Sequence, residues 1–327
     1  MTEEQYEIID SIIEDYICHY DVFLGYNSSF FYNLYINKKE LNISKEELTY
    51  QKSSATETLK KIKEYYSKFY PEVLEKLDKA FNNGIFNIHY RDEDLDLDDL
   101  YLSSKEDIVF YQNENIINIP LFGDVRDIMI TAHEIRHFLN QPNTAARNNI
   151  NDLLTEGLSQ FEEYQILEFL YNKGEINYKD RLKYYNDEMI KFKNLRRNVI
   201  FILELIITKQ QLGKINLENY CFLFKNNDTK IFEANCKNFL NDHGDFEANN
   251  WHLLGHFLNA YMIEQYENSD NFIEKFKKLN DKLLNNSGIE CLNDIGLDFN
   301  SDQVISRLDE SMKYLESKFC KEKTKWL

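Results

Sequence analysis

Apolar residues recur at three- and four-residue intervals along most of this chain. The stretches 3–20, 54–82, 124–140, 151–172, 186–211, 250–266 and 301–320 all show that spacing, and each predicts an amphipathic helix. One segment breaks the period. Around 106–120 the run DIVFYQNENIINIP is rich in Ile and Val and stops at Pro120, which predicts a short strand. Three prolines and ten glycines in 327 residues leave few interruptions, and no internal repeat or low-complexity linker divides the chain. The expected fold is therefore mainly α, with one short β segment. The polar connections 91–99 and 172–182 force no boundary, so an N-terminal helical region over 1–50 is expected to run into one continuous unit over 51–327.

Composition narrows the function classes. Hydrophobic residues make up 43% and aromatics 14%, which fits a packed core and excludes a disordered or collagen-like chain. A net charge of −18 repels phosphate backbones, so nucleic acid is not an expected partner. The longest apolar run, VIFILELII at 199–207, is too short to cross a bilayer and contains Glu204, so no membrane partner is expected either. The opening MTEEQYEIID lacks the features of a secretion signal, and the five cysteines are scattered without a C-x-x-C pair. These features predict a soluble protein of the reducing cytoplasm. The acidic run RDEDLDLDDLY at 91–101 starts like a calcium loop, but Leu97 and Ser103 stand where glycine and glutamate are needed, and a solvated charged loop is expected.

The candidate chemistry lies in TAHEIRHFLN, residues 131–140. His133 and His137 are four apart, which on a helix puts both imidazoles on one face, about 6 Å apart along the axis. Both rings can then reach one cation at Zn–N distances of about 2.0–2.1 Å. Glu134 follows the first histidine and points beside the pair, where it can serve as a general base. A third ligand is available in the next helical stretch, NDLLTEGLSQFEEYQILEFL. There Asp152 is a candidate N-cap and Glu156 falls in the first turns, while QPNTAARNN supplies a polar turn that folds the second helix back on the first. Glu156 would complete a His-His-Glu triad around one Zn2+, leaving a fourth position open.

These residues are similar to the motifs of the thimet oligopeptidase and oligoendopeptidase F family of zinc metallopeptidases. The family's D-V-x-T-x-A-H-E-x-G-H helix is matched by DIMITAHEIRH, and its E-x-A-S-x-F-N-E helix by EGLSQFEE. The stretches 64–88, 193–206 and 296–319 also resemble family helices, so the likeness spans roughly residues 50 to 320. It implies a zincin-like helical catalytic domain, with the short β segment beside the active-site helix and a channel that admits short or unstructured peptides. It implies that His133, His137 and Glu156 bind zinc and that Glu134 activates water. Asp127 and Glu163 become candidates for orienting a histidine or supporting the ligand helix, with a capping or exposed acid as the alternative for each.

Three departures bear on activity. Arg136 stands where the family has glycine before the second histidine. The late family segment uses a histidine and tyrosines to stabilise an oxyanion, whereas NDHGDFEANNWHLLGHFLNAY offers His243, His252, His256 and Tyr261 without the tyrosine pattern. His243 and His252 are the expected donors. The region before the catalytic half is also short. Two readings follow: a zinc-dependent metalloendopeptidase acting on peptides, or a peptidase-like protein that binds peptides or proteins without cutting them. A zinc hydrolase with another substrate is a third, and oligomeric state stays open.

Overall fold

The structure, a computed structural model, describes residues 1–24, 28–36, 49–90, 109–111, 114–140, 149–225, 228–241, 246–269, 272–283, 288–298, 301 and 303–324. The acidic run at 91–101, most of the turn at 141–149 and His243 lie outside these residues. Among the described residues the fold is mainly helical, with thirteen α-helices and a small three-stranded sheet. None of these helices is long and apolar enough to cross a membrane.

The N-terminal helices α1 (Glu3–Leu24) and α2 (Ser28–Ile36) rest on a later long helix, whose Arg196 donates to the Tyr35 carbonyl oxygen at 2.7 Å. Next comes α3 (Ala55–Phe69), capped by Ser54, whose hydroxyl accepts from the Glu57 amide. The single helix expected over 54–82 is broken at Pro71. Proline disfavours helical backbone in the residue before it, and Tyr70 leaves the helical region, with φ −140° and ψ 54°. A 3-10 turn (Pro71–Val73) then leads into α4 (Leu74–Asn82).

Three strands follow. β1 (Phe86–Tyr90) runs parallel to β3 (Glu114–Leu121), and β2 (Val109–Tyr111) pairs antiparallel on the other side, giving the order β1-β3-β2. The expected β segment thus holds two strands, and β1 was not expected. Pro120 lies inside β3 instead of ending it. Ile117 donates its amide to Ile85 on the β1 side, so by alternation the N–H that Pro120 lacks would point the other way, beyond the described β2 pairing, which reaches only Ile116.

From the sheet the chain enters α5 (Arg126–Asn140), then α6 (Asn149–Asn172), α7 (Tyr178–Leu212), α8 (Leu217–Phe224) and α9 (Thr229–Asn241). It ends with α10 (Phe246–Asn268), α11 (Phe272–Leu283), α12 (Gly288–Asp294) and α13 (Gln303–Thr324). Helix α6 begins three residues before Asp152, which therefore lies inside the helix rather than at its cap. The centre of the fold is α6, packed between α5 and α10, with α7 and α13 closing over α10. Every residue from 154 to 167 is buried, so this stretch of α6 has no solvent face and its polar residues must find partners inside. Where α6 crosses α10, a side chain on Gly157 would meet Leu258 Cδ2 at 2.6 Å, and only glycine allows so close an approach.

Candidate metal centre

Helix α5 is launched from the sheet by a tightly bonded turn. Asp127, in the first turn of α5, accepts the Phe122 amide at 2.7 Å on one oxygen and the Gly123 amide at 2.9 Å on the other. Gly123 takes a positive φ of 76°, which glycine adopts without strain. Residues 51–53 clip the same turn, with Ser53 donating to the Gly123 carbonyl and Val125 to that of Gln51. Burial pushes the Asp127 carboxyl up to about 6, even though the two backbone N–H groups pull it down. Asp127 thus supports the start of the ligand helix, and both its oxygens are engaged there, away from the imidazoles.

Two turns later α5 presents the histidines. Their Nε2 atoms are 2.8 Å apart and the rings are tilted against each other. Glu156 on α6 turns Oε2 toward both, 3.3 Å from His137 Nε2 and 3.7 Å from His133 Nε2. One ligand atom from each of these three residues lies within 4.8 Å of the other two. His133 and Glu156 are each only 5% exposed. Glu134, on the same turn, is also buried.

The surroundings decide which nitrogen faces inward. His133 Nδ1 lies 2.5 Å from Glu163 Oε1, and Glu163 Oε2 accepts the Tyr184 hydroxyl from α7. A carboxylate at that distance holds a proton on Nδ1 and so turns Nε2 toward His137 and Glu156. On the far side of Glu156, Oε1 accepts from His252 Nδ1 at 2.6 Å and from Gln160 Nε2 at 3.0 Å. Burial works to raise the Glu156 carboxyl, but His252 and His133 outweigh it and hold it well below the usual carboxylate range. A buried carboxylate and two imidazole nitrogens converging on one point make a donor set that fits a cation between them. Tetrahedral bonds of about 2.0–2.1 Å would set the two nitrogens about 3.3 Å apart, a small opening from the present 2.8 Å.

The structure therefore brings together His133, Glu134, His137, Glu156, Glu163 and His252. His256, one turn beyond His252, faces Glu188 with Nδ1 3.9 Å from Oε2, and packs edge-on against Phe192. Tyr261 donates its hydroxyl to the Ile295 carbonyl oxygen at 2.5 Å and is spent on packing the turn after α12. Arg136 also faces α6 but pairs with a different carboxylate from the histidines. Its Nε donates to Glu162 Oε2 at 2.9 Å, and its guanidinium lies over the rings of Tyr70 and Phe276.

Three further residues shape the site and are not among the candidate residues above. Gln160 is four residues beyond Glu156, a spacing that puts amide and carboxylate on one helix face and was readable. Tyr184, among 22 tyrosines, had no local signal. Gly255 is the third: a Cβ there would come within 2.9 Å of Glu156 Cγ. No protein-family model, curated protein or solved structure matches this chain.

Proposed function

We propose that this protein is a zinc-dependent metallopeptidase that hydrolyses peptide bonds in short or unstructured peptides. The observation that carries the reading is the convergence of His133 Nε2, His137 Nε2 and Glu156 Oε2 on one point, with Glu134 on the same helical turn. His133, His137 and Glu156 would hold the ion, and Glu163 and Tyr184 would keep the His133 ring in its ligating orientation. A divalent cation held there supplies Lewis-acid polarisation of a scissile carbonyl and acidifies a water. Glu134 takes the proton of the attacking water and returns it to the leaving amine. The zincin-like character of the fold and the peptide substrate come from the resemblance of DIMITAHEIRH and EGLSQFEE to the oligopeptidase family.

A second reading, a peptidase-like binding protein, draws on one observation. Of the late candidate donors, Tyr261 is bonded to a backbone carbonyl and His252 to Glu156. The test is zinc content after purification together with cleavage of a quenched peptide mixture by wild type and Glu134→Gln. Stoichiometric zinc with cleavage lost in Glu134→Gln is expected. Bound zinc without Glu134-dependent cleavage would favour the binding protein, and a folded chain that retains no transition metal would end both zinc readings.

A further inference from the structure

We infer that His252 is a positioning residue for the ligand carboxylate of Glu156, and that α10 is the wall against which this carboxylate is set. The inference rests on the metal reading above and replaces the expectation that His252 donates to an oxyanion.

A glutamate brought to a metal from a neighbouring helix has three side-chain torsions to fix. Glu156 is fixed at each end. Its Oε2 faces the imidazoles, and its Oε1 takes the His252 Nδ1–H at 2.6 Å and the Gln160 amide at 3.0 Å. Its methylene lies against Gly255, one turn after His252, where a side chain would intrude to 2.9 Å from Cγ. The Gln160 amide also reaches the His252 carbonyl oxygen at 3.4 Å, so both partners of Oε1 belong to the same α6–α10 contact. Helix α10 thus supplies a donor for one oxygen and room for the carbon chain, leaving a single orientation in which Oε2 points at the histidines.

Geometry separates this role from the expected one. The His252 Nδ1–H is committed to Glu156 Oε1, so that nitrogen is not free to donate to an oxyanion. The bond is between a ring N–H and a carboxylate, the stronger class of hydrogen bond, and both groups are largely shielded from water. Groups that orient a metal ligand in this way change metal affinity by about 10–100-fold when removed.

The experiment measures zinc affinity by competition with a chromophoric chelator, and the Co2+ absorption spectrum, for wild type, His133→Ala, His252→Ala, His252→Asn and His252→Gln. Circular dichroism of the metal-free proteins checks folding. His252→Ala is expected to weaken zinc binding by about 10–100-fold and to alter the Co2+ spectrum. His252→Asn places an amide N–H where Nδ1 stood and is expected to restore most of the affinity. In His252→Gln the amide reaches past Oε1, and affinity should stay low. If His252→Ala does not fold, the Asn and Gln variants read the same quantity. Zinc affinity within twofold of wild type in His252→Ala, with only turnover reduced, would overturn the positioning role while leaving the metal reading intact. Failure of His252→Asn to bind zinc better than His252→Gln would also overturn it. A folded wild type with no more affinity than His133→Ala would instead remove the metal reading beneath the inference.

Discussion

Arg136 offers the sharpest test of how α5 and α6 are held together. It directly precedes His137 on α5, and its side chain is only 3% exposed and is paired with Glu162 of α6, which is fully buried. Both Nε and Nη2 contact one oxygen, Oε2, while Oε1 has no hydrogen-bond partner. The guanidinium is flanked by Tyr70 at 4.9 Å and Phe276 at 5.5 Å. Arg136→Met keeps the apolar stem and removes the charge, leaving the Glu162 carboxylate in a site that cannot solvate it.

Removing one partner of a buried ion pair costs about 3–5 kcal/mol, because the remaining charge loses its compensation. Loss of the two ring contacts adds about 0.5–1 kcal/mol each. Native proteins hold only about 5–15 kcal/mol in total, so the single change removes a large share. At a urea slope of about 3 kcal/mol/M, a total loss of about 4–7 kcal/mol lowers the midpoint by about 1.3–2.3 M. The double variant Arg136→Met/Glu162→Leu removes both charges and fills the space with apolar atoms. Such replacements are neutral or stabilising by about 1–4 kcal/mol, so stability should return to that of wild type or exceed it. Urea unfolding of the four proteins in the metal-free state, followed by circular dichroism, gives the cycle directly. Single variants that each lose under 1 kcal/mol, or a double variant whose loss equals the sum of the singles, would refute a buried, mutually dependent pair.

Two further perturbations probe the parts that aim the ligands. Replacing a helical glycine by alanine ordinarily stabilises by about 1 kcal/mol. At Gly255 the new methyl would sit 2.9 Å from Glu156 Cγ and 3.3 Å from the Gly157 amide nitrogen, and overpacking costs about 1–3 kcal/mol. Gly255→Ala should therefore lower the melting temperature and weaken zinc binding together; a variant more stable than wild type with unchanged zinc affinity would show that the helices do not cross so closely. Asp127 tests the entry turn through pH. Its folded pKa of about 6 exceeds an unfolded value of about 3.9, so its stabilising contribution is present at low pH and is lost as pH rises through 6. Linkage puts the loss at about 1.4 kcal/mol between pH 5 and 7.5. Asparagine does not titrate, so the penalty of Asp127→Asn, measured by urea unfolding, should be about 1.4 kcal/mol smaller at pH 7.5 than at pH 5. A penalty that grows with pH would mean that the two backbone N–H groups, not burial, govern this carboxyl.

The long helices were legible because a repeated three-and-four spacing over twenty residues admits few other foldings. The shorter helices α2, α8, α9, α11 and α12 offered too few turns for the same argument. The strand FNIHY of β1 gave only five residues of alternation, with one buried position. The site divides along the same line. His133, Glu134 and His137 share one helical turn, so their relation is local and spacing reveals it. Glu163 lies two turns beyond Glu156, and seven residues return to nearly the same helix face. Once Glu156 faces α5, Glu163 must do so as well. What His252 touches depends on how α10 crosses α6, and no periodicity within either helix contains that information. The crossing does leave a trace in composition. Of ten glycines, Gly157 directly follows the candidate ligand Glu156, and Gly255 stands between the candidate donors His252 and His256. A glycine inside a helix weakens it unless something must come close. Two such glycines, each beside a residue of suspected chemistry, point to each other as the place where the helices meet. That pairing sets His252 against Glu156 from composition alone.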